Sequence, residues 1–296
     1  PRRDWTVTAG RIGRREQESP SSVQTLLGCP LKWALQYAGR LYAADSAQVD
    51  DGTSPRLLGE LLHAIMNQLF AGPARGADEA AAEAGAIFDR EGPRLVAALF
   101  LPGEDAQREH VRRAAMRTAR SLYGLMAAAG LRVIATEQER TGQAFGTAFA
   151  GRVDLVLGEP ARILDLKWSG AASKRRALKE GTALQLAAYA FLQRQGDEPI
   201  PPVGYFVMEA QRLLTTQPEA FHDAEEVKGP SPEETWWLDE ATHALEWRTV
   251  AEGRLAARGV AGDDGEEAAS ESGAEDGRLQ IVAVPAGPYR LRCSSV

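Results

Sequence analysis

Apolar residues at helical spacing dominate the first half of the chain. Behind Ser19 and Ser21, either of which can cap a helix, Val23, Leu26, Leu27, Leu31 and Leu35 recur mostly on one face, and Pro30 must interrupt or kink that helix. From Pro55 to Phe70 the pattern is cleaner: Leu58, Leu61, Leu62, Ile65, Met66 and Leu69 form a single apolar stripe. Ala-rich stretches from Ala77 to Ala98 and from Glu104 to Ala129 predict two further helices. Near Leu131 the period changes. "LRVIATEQERTG", "AFAGRVDLVLG" and "ARILDLKW" carry β-branched and aromatic residues in partial alternation, punctuated by Gly and Pro, which predicts consecutive strands joined by hairpins. A helix is expected from about Gly181 to Gln195, a strand over 202–210 and a helix from Pro232 onward. The acidic Gly/Ser/Ala stretch after Gly259 lacks the apolar surface to offset ordering and reads as a disordered loop, and "LQIVAVPAGPYRLRC" as a short final strand. The expected organisation is a helical part over 1–130, a mixed α/β core over 131–258, an acidic loop over 259–277 and a strand and tail over 278–296. No internal repeat is evident.

Composition narrows the class. With 296 residues, 44% of them hydrophobic and 25% charged, the chain has the make-up of a globular protein able to bury a large core. No run approaches the ~18 to 20 apolar residues of a membrane span, and residues 1–15, "PRRDWTVTAGRIGRR", lack the apolar segment of a signal peptide. The chain starts without Met, which points to a fragment or a processed chain. Two cysteines, Cys29 and Cys293, cannot form a disulfide framework and fit a reducing, cytoplasmic compartment. The net charge of −7 argues at first against a nucleic-acid partner, but it sits in residues 263–276, which hold seven acids and no Lys or Arg. Residues 162–179 carry Arg162, Lys167, Lys174, Arg175, Arg176 and Lys179 against one acid, Asp165. Such a run is most often a solvated face, and by itself it decides nothing.

The strand "ARILDLKW" changes that assessment. Ile163, Leu164, Leu166 and Trp168 suit a core, yet Asp165 and Lys167 place charges among them, where an unpaired charge costs several kcal/mol to bury. A symmetric turn "GEPA" at 158–161 pairs Leu157 with Arg162, and the same register sets Asp154 opposite Asp165. Like charges opposed across a ladder are destabilising, so something positive should sit between them. Lys167, two residues beyond Asp165, shares its face. Two carboxylates and an ammonium on one face are the minimum set for hydrolysis assisted by a divalent metal, and the backbone carbonyl of Leu166 can add a hard oxygen ligand. An ordinary ion pair between Asp165 and Lys167 on an edge strand would explain the spacing but not the opposed Asp154.

"GRVDLVLGEPARILDLKWSG" followed by "LQLAAYAFL" resembles the PD-(D/E)XK nuclease superfamily, in the branch typified by the RecB and AddB nuclease domains and the CRISPR-associated exonucleases. The ordered set G-x-x-x-H, G-R-x-D, D-x-K and Q-x-x-x-Y carries the likeness, which extends from "SPSSVQTLLGCPLKW" through "GELLHAIM" to "VGYFVMEA". The resemblance implies an α/β restriction-endonuclease-like core, a mixed sheet flanked by helices, behind a mainly helical N-terminal half. It implies metal ligation by Asp154 and Asp165, with Lys167 as the catalytic lysine, His63 approaching the metal, and Gln185 and Tyr189 supporting the catalytic strand and contacting substrate. Gln185 and Tyr189 are four residues apart, so one helix face can present both. Taken singly, His63 reads as a helix-edge histidine and Tyr189 as a core aromatic. Glu137, in "IATEQER", is a candidate to assist the site, although acids on hairpins are more often solvated. His110, His222 and His243 show no ligand spacing.

The implied activity is Mg²⁺- or Mn²⁺-dependent hydrolysis of DNA phosphodiester bonds, on single strands or duplex ends, with Arg162, Lys174, Arg175, Arg176 and Lys179 along the phosphate backbone. No G-x-x-x-x-G-K-[ST] occurs, so the chain has no recognisable ATP site of its own, and the resemblance implies a nuclease module working with a helicase partner or with a helicase region of a longer chain. Several relatives in this branch hold an iron-sulfur cluster on four cysteines, one early and three near the C-terminus. Cys29, in "GCPLKW", resembles the early ligand and Cys293 a late one, but four thiolates are not present, so no cluster is expected and Cys29 reads as a buried small residue. Two rivals remain: an inactive nuclease-fold protein that binds DNA or acts as a scaffold, and an unrelated α/β protein whose acids hold a structural cation.

Overall fold

The computed structural model describes residues 4–41, 55–73, 76–194 and 198–258. In chain order these form β1 (Asp4–Thr6), β2 (Gln17–Glu18), α1 (Pro20–Gly28), α2 (Pro30–Trp33), α3 (Pro55–Ala71), α4 (Ala77–Leu95), α5 (Asp105–Ala128), β3 (Val133–Ala144), β4 (Thr147–Leu157) and β5 (Arg162–Lys167). Then follow α6 (Ala171–Glu180), α7 (Leu184–Gln193), β6 (Val203–Val207), β7 (Arg212–Thr215), β8 (Glu225–Glu226), α8 (Pro232–Ala251) and β9 (Arg254–Ala256). The acidic loop expected over 259–277 and the strand and tail over 278–296, with Cys293, lie outside the described residues. No helix among the described residues is long and apolar enough to cross a membrane.

The chain divides into two compact units, each built from discontinuous segments: residues 45–140 with 152–233, and residues 1–44 with 141–151 and 234–296. In the larger unit, β4 pairs antiparallel with β5, β5 parallel with β6, β6 antiparallel with β7 and β7 parallel with β8. The parallel step from β5 to β6 is the crossover that α6 and α7 bridge, since parallel neighbours need a long connection. Strand alternation then sorts the side chains. Leu155, Leu157, Leu164, Leu166, Phe206 and Leu213 join the apolar stripes of α3, α4 and α5. Val156, Ile163, Val203, Tyr205, Val207 and Leu214 pack instead with Leu178 of α6 and with Leu186, Tyr189 and Ala190 of α7. This is the mixed sheet with helices on both faces expected from the sequence. The α3 stripe is fully buried from Leu61 to Leu69, and each such side chain contributes roughly 1.5–3 kcal/mol relative to exposure.

In the smaller unit, β1 and β9 pair antiparallel, and β2 runs parallel to the start of β4. Pro30 breaks the first helix as expected: α1 ends at Gly28, Cys29 is extended, and α2 restarts at Pro30. Cys29 is buried, 5% exposed. Phe145 packs its ring against Phe149, Trp236 and His243. Asp239, on α8, is fully buried with neither carboxylate oxygen hydrogen-bonded among the described residues, and burial pushes its carboxyl up to about 8.

Several elements depart from the sequence reading. Residues 171–180 form a helix that periodicity misses, because "AASKRRALKE" buries only Leu178 and so has no apolar stripe; left-handed glycines, Gly170 (φ 88°) and Gly181 (φ 65°), bound it. The following helix therefore starts at Leu184 rather than at Gly181. The short strands β7, β8 and β9 have too few residues for alternation to register.

The C-terminal end of α6 is held by a close backbone approach. A Cβ added to Gly229 would lie 2.3 Å from the Leu178 carbonyl oxygen and 3.0 Å from the backbone of Lys179, and neither can yield without moving the helix. Gly229→Ala is expected to destabilise the fold by about 1–3 kcal/mol, read as a lower denaturation midpoint with unchanged m-value. An unchanged midpoint would show that α6 is not pinned there.

Candidate active site

The turn at 158–161 gives the register anticipated from its length: Leu157 pairs with Arg162, Val156 with Ile163 and Leu155 with Leu164. The paired ladder stops there, one residue short of Asp154. The Asp154 carboxylate crosses between the strands, where the Leu166 backbone N–H donates to its Oδ2 at 2.8 Å. Asp165 is fully buried, and neither of its oxygens accepts an aligned hydrogen bond among the described residues. Its counter-charge is Lys167, whose Nζ lies 2.7 Å from Oδ2. The pair is thus a close ion contact that leaves lone pairs on a desolvated carboxylate unsatisfied, a costly arrangement for a sheet interior.

Charge balance in this pocket shows in the titration of its members. Burial, reinforced by the neighbouring Asp165 charge, pushes Asp154 up to about 7, against the opposing pull of His63 and Lys167. Burial works against the Lys167 ammonium, but Asp165 and Asp154 outweigh it and raise the lysine above its ordinary value.

His63 reaches the same place from α3. Its Nε2 lies 2.9 Å from the Leu166 carbonyl oxygen and 4.0 Å from Asp154 Oδ2, while its Nδ1 lies 3.4 Å from Glu137 Oε1. Leu166 and Glu137 both offer acceptors, so satisfying both needs hydrogen on both ring nitrogens. Burial opposes that charged form, yet the Glu137 hydrogen bond, the Asp154 charge and the Leu166 carbonyl raise the His63 pKa overall. Arg152, in the G-R-x-D motif, ion-pairs through Nε with Glu137 Oε2 at 2.7 Å. The His63 contact, helped by Asn67 and Arg152, holds the Glu137 carboxyl low despite burial.

Ligand atoms of His63, Glu137 and Asp154 all lie within 4.8 Å of one another. Glu137 therefore stands closer to the site than its hairpin position suggested. Its φ of 47° breaks the regular course of β3, a local kink that side-chain alternation cannot reveal. Arg152 and Asn67 likewise carried no sequence signal beyond proximity to the motifs.

Gln185 and Tyr189 share a face of α7, and Gln185 Nε2 donates to the Tyr189 hydroxyl at 2.7 Å. Tyr189 is packed among Val156, Ile163 and Tyr205, and burial together with the Asp165 charge raises its phenol. The five basic positions separate. Arg162 donates to the carbonyl oxygens of Ala220 and Pro160, and Arg175 is paired with Glu225, which also holds Arg212. Arg176 and Lys179 are exposed. Lys174 leans over the Tyr205 ring, its Nζ 5.3 Å from the centroid.

Hard oxygen donors, an imidazole and a buried carboxylate with unsatisfied lone pairs fit a divalent cation. Two neighbouring carboxylates, an adjacent lysine on β5 and a histidine from a packed helix are thus brought together at one place on the sheet. The sequence accordingly matches the model of the PD-(D/E)XK nuclease superfamily over residues 17–270, and the chain belongs to that superfamily. Among solved structures, it is similar to one described as "Putative exonuclease" from Eubacterium rectale, with 14% identity, 82% of this chain and 84% of that chain covered, and a TM-score of 0.45. No curated protein gives a significant match.

The sign of the pH dependence follows from Asp154. Its folded value of about 7 lies above the ordinary 3.8, so its contribution to stability is fully present below about 3.8 and is lost as pH rises through about 7. In EDTA, Asp154→Asn, which keeps an acceptor for the Leu166 N–H, is expected to melt higher than wild type above neutral pH and no higher in acid. Saturating Mg²⁺ or Mn²⁺ should raise the wild-type melting temperature and leave the variant unmoved. Identical profiles for the two proteins, with and without cation, would contradict this account.

Proposed function

We propose that the protein is a metal-dependent deoxyribonuclease of the RecB and AddB type, acting as an exonuclease on single strands or duplex ends. The observation that carries this reading is the buried Asp165 carboxylate, short of hydrogen bonds, set against Asp154 and in ion contact with Lys167. Asp154, Asp165, the Leu166 carbonyl and His63 Nε2 would hold a Mg²⁺ or Mn²⁺ ion, with Glu137 keeping the hydrogen on His63 Nδ1. Such an ion, when bound, lowers the pKa of coordinated water and polarises a phosphoryl oxygen.

The chain's own groups do the remaining work. Lys167 is kept protonated by the two aspartates, so its Nζ–H groups orient the attacking water and offset charge growing on the phosphoryl oxygens. The raised phenol of Tyr189 stays a neutral donor, and the Gln185 bond fixes where its oxygen points. Leu164 and Leu166, anchored on the opposite face, keep Asp165 and Lys167 from relaxing apart. By its likeness to RecB and AddB nuclease domains, the chain would serve as a nuclease module working with a helicase. A role in DNA repair or recombination and a cytoplasmic location complete the reading.

Fluorescent linear and circular DNA incubated with Mg²⁺, Mn²⁺ or EDTA tests it. Wild type should degrade linear DNA only with divalent cation, and Asp165→Ala should be inactive. Lys167→Ala should lose about 100-fold or more in kcat, the usual loss when one preorganised stabilising donor is removed. Intact DNA in both cations would exclude the enzyme and favour a nuclease-fold binding protein.

A further inference from the structure

We propose that Lys174 forms a phosphate subsite next to the Asp165–Lys167 pair, gripping a non-bridging oxygen of the DNA backbone, and that the basic run owes its function at the site to this one residue. The inference rests on the nuclease reading and deepens it.

Placement comes first. β5 ends at Lys167, Gly170 turns the chain in a left-handed conformation, and the Lys174 N–H closes the first turn of α6 on the Gly170 carbonyl at 3.0 Å. The helix thereby lays the Lys174 stem over Tyr205, which is the cross-strand partner of Asp165. The aromatic face fixes the ammonium while its stem is half-buried. Among the described residues Lys174 has no ion pair, whereas the Arg175 guanidinium beside it is consumed by Glu225. Burial and repulsion from Lys167 push its pKa down, with Asp165 pulling the other way, so both lysines feel the same carboxylate.

The chemistry follows from that placement. Lys167 already occupies Asp165 Oδ2, so that carboxylate is not free to pair with a second ammonium. Lys174 is left as a held cation, short of a counter-ion, at the rim of the reacting centre. A phosphate oxygen supplies that charge and forms a short charge-assisted hydrogen bond. Arg162, bonded to two backbone carbonyls, and the exposed Arg176 and Lys179 lack this preorganisation.

The test compares wild type with Lys174→Met, which keeps the apolar stem on Tyr205, and Lys174→Gln, which keeps a polar end. Binding of a fluorescein-labelled oligodeoxynucleotide is followed by anisotropy across a salt series in EDTA, and cleavage kinetics are measured in Mg²⁺. Loss of one phosphate contact should make the slope of log affinity against log salt shallower by about 0.7 to 0.9. KM should rise more than kcat falls, and Lys174→Arg should restore both binding and KM. If the neutral variants melt lower but keep the wild-type slope and KM, Lys174 is only packing on Tyr205 and the proposal is overturned. Wild type that neither binds nor cleaves would instead overturn the nuclease reading, while cleavage equal in wild type and variants would overturn this inference alone.

Discussion

Two carboxylates opposed across β4 and β5, one of them fully buried, set the terms for everything around them. Burial first, and the neighbouring Asp165 charge second, raise the Asp154 carboxyl, so the folded chain resists holding both groups in the absence of a positive partner. Lys167 relieves part of the repulsion but satisfies only one oxygen of Asp165 in an unaligned contact. The residual strain is stored against a cation. Stability given up in the empty state becomes affinity in the loaded one, a division common in sites built for charged ligands.

The fold tolerates this because the strain is surrounded by packing that does not depend on it. Leu164 and Leu166 point into the α3–α5 core, and Ile163 into the α6–α7 core, so β5 is clamped from both faces on either side of Asp165. The Leu166 backbone is used twice, its N–H by Asp154 and its carbonyl by His63. The main chain of a single residue thus ties β4, β5 and α3 together at the site. Arg152, Glu137 and His63 then form a chain of polar contacts that sets the imidazole ring from behind. Members of that chain draw on one another's charge, so each should matter more in company than in isolation.

Much of this was legible in local patterns. The stripe from Leu58 to Leu69, the Pro30 break and the strands around 151–168 are short-range signals, and the four-residue turn before Arg162 was enough to set the register from Leu157–Arg162 to Leu155–Leu164. Gln185 and Tyr189 were paired by helix geometry and do hydrogen-bond. The basic run looked uniform in sequence but splits by partner: Arg175 answers to Glu225, Arg162 to backbone oxygens and Lys174 to Tyr205. Helix α6 went unseen because it buries one leucine, and a helix held by its caps and its neighbours leaves no periodic trace.

The sequence by itself determined the strand alternation, the register at the turn and hence the juxtaposition of two acids and a lysine, because each depends on residues within one hairpin. The tertiary structure alone decided that His63 meets Leu166, that a kinked β3 brings Glu137 to His63, and that Asp165 is wholly removed from water. Contacts between residues 74 and 103 positions apart follow from how α3 packs on the sheet. Desolvation, which turns an ordinary aspartate into a demand for a cation, arises only once both layers of helices have closed over the strands.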